Sequence, residues 1–151
     1  MKDIESVIIE KGEIAENNFR NGKSCCQAVL LAFKDECGLN EETILKIGAP
    51  FGGGTGRMRL TCGAATAIFM LAGLLKSDGS KENRNRDYEL IQKLAEEFKT
   101  ENGSIICAEL LKGVKITSGT TPEERDDGYY KRRPCPQICR VAAKIAARNL
   151  L

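Results

Sequence analysis

Seven cysteines and no histidine define the chemistry open to this chain of 151 residues. Without His there is no Ser-His-Asp triad, no Cys-His pair and no His-Glu-x-x-His zinc site. A c-type haem attachment also needs a His after its cysteines, so haem is excluded. A metal would have to be held by thiolate or carboxylate. The cysteines are Cys25, Cys26, Cys37, Cys62, Cys107, Cys135 and Cys139. No two are spaced Cys-x-x-Cys, which argues against a thioredoxin-type site and a zinc ribbon. Cys135 and Cys139 are four apart and share a helix face, so both thiols could serve one centre. The remaining intervals are too long for a local loop, and any site must be assembled by tertiary packing. An odd count also rules out a fully paired disulfide framework within one chain.

The elements that must carry these residues read as helices. Ile4, Val7, Ile8, Ala15 and Phe19 fall near one face of a first helix over residues 2–20. Ser24 is a good N-cap for a second, and Gln27 completes a capping box. Val29, Leu30 and Phe33 supply its buried stripe, and Gly38 stops it. Asn40 caps a short third helix through Ile44, Leu45 and Ile47. Thr61 caps a fourth, from Cys62 to about Leu75, apolar nearly all round and therefore central; that face also leaves a homodimer contact open. A fifth helix over residues 85–100 carries Tyr88, Ile91, Leu94, Ala95 and Phe98 on one face. Ser104 caps a short sixth helix through Leu111. Residues 113–133 form a long polar connection, in which Thr121-Pro122-Glu123-Glu124 can start one helical turn. The last helix begins near Pro136. Strand alternation is scarce. The expectation is an all-α bundle of six or seven helices, one domain over residues 1–151, crossed by a glycine-rich loop.

On that map five cysteines lie at helix starts: Cys25, Cys62, Cys107, Cys135 and Cys139. A helix N-terminus carries unpaired N–H groups and about half a positive charge, which favours thiolate over thiol. Basic residues stand close in sequence: Arg20 and Lys23 before Cys25, Arg57 and Arg59 before Cys62, and Lys131-Arg132-Arg133 before Cys135. Such placement suits a redox dithiol or a thiolate-ligated metal. Random burial would instead scatter cysteines along apolar stripes. Cys37 does sit on such a stripe and is read as structural. Cys26 points about 100° away from Cys25 on a helix, so one of the pair is packing.

A set of motifs gives a resemblance. Ser24-Cys25-Cys26-Gln27-Ala28-Val29-Leu30, Phe51-Gly52-Gly53-Gly54-Thr55-Gly56, Thr61-Cys62-Gly63-Ala64, Cys107-Ala108-Glu109-Leu110-Leu111 and Cys139-Arg140-Val141-Ala142-Ala143 occur in that order. In this the chain resembles the redox-active protein family named C_GCAxxG_C_C, from about Ser24 to Ala147. The resemblance implies a small helical protein whose four characteristic cysteines map onto Cys25, Cys62, Cys107 and Cys139. A more distant similarity to the non-haem part of split-Soret cytochromes implies an iron–sulfur ancestry. The chain departs at one place: Ala67 stands where the motif has its second glycine.

Three readings of Gly52-Gly53-Gly54-Thr55-Gly56-Arg57 stay open. Gly52, Gly53, Gly54 and Gly56 could free N–H groups for an anion or cofactor nest. The loop could be a tight crossover, or it could wrap backbone donors around the Cys62 sulfur. It lacks a Walker ending and follows no predicted strand. Lys131-Arg132-Arg133 reads as a solvated cluster able to tune Cys135, and Glu123, Glu124, Asp126 and Asp127 as a solvated loop face.

Composition sets the frame. With 42% hydrophobic and 29% charged residues the chain reads as globular, and 5% aromatics with no Trp demand an aliphatic, Ala-rich core. Lys+Arg 23 against Asp+Glu 21 leaves +2, too little for nucleic-acid binding by bulk charge. The N-terminus is not a signal peptide. The longest apolar run, Ala64 to Leu75, has 12 residues, short of the roughly 20 that span a bilayer. A cytoplasmic, reducing setting is expected, with redox-active, metal-binding or buried cysteines rather than structural disulfides. The leading functional reading is a redox protein working with an unidentified partner. It uses Cys25, Cys62, Cys107 and Cys139 as dithiols, or as ligands of an iron–sulfur cluster. Two alternatives are a non-enzymatic metal binder on those thiolates with Cys135, and a helical interaction module whose cysteines are structural.

Overall fold

The computed structural model describes residues 2–151, and helices dominate it. The first, α1 (Ile4–Arg20), is capped by Asp3, whose carboxylate accepts a hydrogen bond of 2.8 Å from Ser6 N–H. Its buried residues Ile8, Gly12, Ala15 and Phe19 repeat at helical spacing. The second, α2 (Cys25–Ala32), has the reciprocal capping box between Ser24 and Gln27. A four-residue turn, α3 (Lys34–Cys37), ends on Gly38 at φ 67°. Asn40 caps α4 (Glu41–Gly48), which runs into a 3-10 turn (Ala49–Phe51) and then the glycine loop. The long helices α5 (Gly63–Lys76) and α6 (Arg84–Asn102) follow. Short α7 (Cys107–Leu110) and α8 (Asp127–Arg132) precede the terminal α9 (Cys135–Leu150).

Among the described residues there are nine α-helices and no strand, only a lone bridge between Thr61 and Ile106. The all-α class is as expected; the helix count is higher because α3, α7 and α8 are short pieces. The core is aliphatic and Ala-rich. Ala64, Ala65 and Ala67 of α5 and Ala142, Ala143, Ala146 and Ala147 of α9 are fully buried, with Phe19, Phe33 and Phe98 filling the larger gaps. Small residues let helices approach closely. A Cβ on Gly12 would sit 2.9 Å from Lys144 Cγ, across the long α1–α9 contact. No helix among the described residues is long and apolar enough to cross a membrane.

Three local expectations are corrected. Thr61 does not cap α5: it is held in the bridge to Ile106, and Cys62 becomes the N-cap. Ser104 does not cap α7 either. Ile106 takes that position, while Ser104 Oγ accepts from Ile106 N–H at 2.9 Å and donates to Glu109. No helical turn forms at Thr121–Glu124; helix begins instead at α8, where the Asp126 carboxylate accepts from Tyr129 N–H at 2.7 Å.

Candidate functional site

Four helix starts converge on one cavity of about 550 Å3. Cys25 is the first residue of α2, Cys62 the N-cap of α5, Cys107 the first residue of α7 and Cys135 the first of α9. All four line the cavity. Cys139, one turn further along α9, is fully buried and off the cavity wall. All seven thiols are free.

The sulfurs are not equivalent. Cys25 has Cys135, Cys139 and Cys62 for neighbours: their sulfurs are the leading influences on its thiol, and its own is the leading influence on each of theirs. Cys25 is thus a hub, and these neighbouring thiols, with burial, raise its pKa well above the usual thiol value. Its single proton can be donated to one of these sulfurs at a time, and favours thiolate on the one that accepts it. The hydrogen bond from Cys25 lowers Cys62, helped by the N–H groups of Ala64 and Ala65 at the start of α5. Cys135 is lowered to about 7, first by Cys25 and then, against burial, by Arg133 and Arg125. Cys139 also gains from Cys25, but burial and the charges of Cys62 and Cys135 leave its pKa raised. Cys107 stands apart from the hub. Burial raises it, opposed by Arg59, whose Nη1 lies 3.9 Å from its Sγ. Cys26 faces the core, and burial pushes its thiol up to about 12. Cys37 is half-buried elsewhere, on the α3 turn.

Of the five cysteines placed at helix starts, the structure therefore joins Cys25, Cys62, Cys135 and Cys139 through sulfur contacts and sets Cys107 on the wall beside them. Gly52, Gly53, Gly54 and Gly56 line the same cavity. Their loop is a tight crossover: a Cβ on Gly54 would fall 2.5 Å from Cys107 Cβ. Gly53, Gly54, Thr55, Gly56 and Arg57 all have positive φ between 55° and 70°. For Thr55, Arg57 and Arg59 that conformation costs about 1–2 kcal/mol each. It is held by backbone bonds such as Arg59 N–H to Gly53 O (3.0 Å) and by Arg57 donating to Gly119 O (2.6 Å). The backbone donors at the Cys62 sulfur come from α5, not from this loop.

The polar segment 113–133 is not a solvated bystander. Arg133 is 8% exposed and pairs with Glu123 at 2.8 Å. Arg125 donates to the carbonyls of Phe19 and Lys23, both at 2.9 Å, and its guanidinium stacks 4.3 Å over the Phe19 ring. The reading of Glu123 as surface and of Arg133 as part of a solvated cluster is corrected by these contacts. Sequence reasoning missed Arg125 altogether, because nothing local marks a residue that reaches 106 positions back along the chain.

The donor set was tested against a bound metal or cluster. Its chemistry is all thiol, which suits a soft metal. Among the described residues no group of three or more Cys, Asp or Glu is disposed to hold a metal ion.

A lowered Cys135 has a measurable consequence. At pH 7 about half of Cys135 is thiolate, against about 1% for a thiol at the usual 9.0. Its intrinsic nucleophilicity falls about tenfold with the lower pKa, so the net rate advantage is about fivefold. Alkylation of Cys135 by iodoacetamide, followed by peptide mass spectrometry, should titrate with a midpoint near pH 7. Arg133→Gln removes a cation beside the thiolate and should move that midpoint upward; an unchanged midpoint would exclude Arg133 as a cause.

The family model described as "Putative redox-active protein (C_GCAxxG_C_C)" matches residues 23–149. No curated protein and no solved structure matches the chain. The matched span includes the seven helices from α2 to α8 in full and almost all of α9, together with every cysteine. The chain therefore belongs to the C_GCAxxG_C_C family.

Proposed function

We propose that the protein is a thiol–disulfide redox protein in which Cys135 is the attacking sulfur and Cys25 the resolving one. The observation that carries this reading is the convergence of Cys25 and Cys135, the first residues of α2 and α9, on the wall of one cavity, where the pKa of Cys25 is raised and that of Cys135 lowered by each other's presence. The Cys135 thiolate attacks an external disulfide R–S–S–R, forming Cys135–S–S–R and releasing RS−. Cys25 then attacks the Cys135 sulfur. The Cys25–Cys135 bond forms, the second R–S− leaves, and it takes up the Cys25 proton. Two electrons pass from the two cysteine sulfurs to the external disulfide, and a dithiol reductant reverses the process. Cys62 and Cys139 complete the shell around Cys25, and Cys107 with Arg59 forms the opposite wall.

Mass spectrometry after mild oxidation tests the reading. Anaerobically purified, reduced protein is treated with a small disulfide, alkylated and digested. Two thiols should be lost, and the cross-linked peptides should contain Cys25 and Cys135. A thiol count that does not fall, in protein that carries stoichiometric iron or zinc, would overturn it in favour of metal ligation.

A further inference from the structure

The charge of the cavity wall says which disulfides the site should take. Arg57, Arg59, Arg125 and Arg133 all line it, and Glu123 is the one acidic residue among its lining residues. Only Arg133 has an ion-pair partner among the described residues, and that partner is Glu123. Arg57 donates to Gly119 O and to the carbonyl and hydroxyl of Thr117. Arg59 donates to Thr117 O at 3.2 Å and faces Cys107. Arg125 is bonded to two carbonyls. These neutral acceptors orient the guanidinium groups but leave their charge uncancelled. Helix starts at Cys25, Cys62 and Cys135 add to the same field.

Size narrows the choice further. A concavity of about 550 Å3 is in the range of small-molecule sites. Cys62, Cys107 and Cys135 are each 8% exposed or less, so their sulfurs sit below the rim. The disulfide of a folded protein, lying on a convex surface, would not reach them. Two loop arginines also hold left-handed backbone at Arg57 and Arg59, a cost of the kind stored where function needs a side chain in one place.

We infer that the cavity selects small anionic disulfides, with the arginines binding the negative groups while Cys135 attacks the sulfur–sulfur bond. This rests on the proposed thiol chemistry and adds the substrate class to it. The overall step is one enzyme dithiol plus one R–S–S–R giving one enzyme disulfide plus two R–SH, with R carrying the anionic group.

Three disulfides of similar size test the inference on reduced full-length protein at pH 7 and low salt. They are 3,3′-dithiodipropionate (two carboxylates), bis(2-hydroxyethyl) disulfide (neutral) and cystamine (two ammonium groups). The rate of thiol loss should be greatest for the dicarboxylate and at least about tenfold above cystamine, the low end of electrostatic rate enhancement. A free thiolate in solution, being negative, has the opposite preference. Raising the salt to about 0.5 M should compress the ratio, since screening shortens the reach of the field. The double variant Arg57→Asn, Arg59→Asn keeps residues that tolerate left-handed backbone and should narrow the ratio at low salt. If cystamine reacts as fast as the dicarboxylate, or if salt leaves the ratio unchanged, the inference fails while the thiol chemistry stands. If none of the three oxidises the protein, the thiol chemistry fails and the inference falls with it.

Discussion

A Cys25→Ser protein should form no internal disulfide when treated with a small disulfide oxidant, and should instead accumulate a mixed disulfide at Cys135. The reason is the hub. Cys25 is the leading influence on the thiols of Cys62, Cys135 and Cys139, so removing its sulfur leaves them without that neighbour. Cys135 remains beside Arg133 and Arg125 and still attacks the oxidant. The second step then lacks its nucleophile. Intramolecular attack by a positioned group is worth many orders of magnitude over the bimolecular reaction, so the rate of internal disulfide formation should fall by at least about 100-fold. Intact-mass measurement reads the outcome directly: one added R group per chain in the variant, and a loss of two hydrogens in the parent. Cys37→Ser is the matched control. Cys37 lies on the α3 turn, away from the cavity wall, and its replacement should leave the oxidation product unchanged. If Cys25→Ser still loses two thiols to an internal bond, another pair carries the chemistry and the hub assignment is wrong.

Much of this arrangement is legible in local sequence, because helix capping is a local property. Ser24 with Gln27 and Asn40 before α4 act in the structure as their residue types demand, whereas Gly38, expected to stop α2, ends the separate turn α3 after α2 has stopped at Ala32. The placement of cysteines at helix starts is legible for the same reason. Which of those sulfurs touch is not, since contact among α2, α5, α7 and α9 is settled by packing between elements far apart in sequence. Cys135 rather than Cys107 reaches Cys25, and no spacing rule distinguishes them. The basic residues behave likewise. Arg59 precedes Cys62 by three positions yet its guanidinium lies against Cys107, and Arg20 precedes Cys25 yet pairs with Glu16 on its own helix. The segment 113–133 was opaque for a different reason. Its composition is that of a solvated loop, but its polar groups are satisfied by remote carbonyls and by each other, which composition alone does not reveal.

The second large effect concerns Gly63, directly after Cys62. A Cβ there would lie 2.8 Å from Phe51 O, 3.0 Å from Cys26 N and 3.3 Å from Cys25 Cβ. Two of these neighbours are backbone atoms and cannot swing aside as a flexible side-chain end would. Gly63→Ala should therefore push the start of α5 away from the start of α2, with an overpacking cost of about 1–3 kcal/mol. For a chain of this length that corresponds to a fall in melting temperature of roughly 2–12 °C. The same movement separates Cys62 from Cys25, so oxidation of the hub should also slow. Gly73, further along the same helix, has nothing within 4 Å of an added Cβ and is exposed. There the helix preference for Ala acts alone, and Gly73→Ala should stabilise by up to about 1 kcal/mol. The opposite signs separate close packing from helix propensity in one element; a Gly63→Ala protein as stable as the parent would show that the contact is loose. Ala67 stands where the family motif has its second glycine, and its methyl group is fully buried in the core. Within α5, glycine is thus demanded at Gly63, where α2 brings Cys25 and Cys26 against it, and not at Gly73.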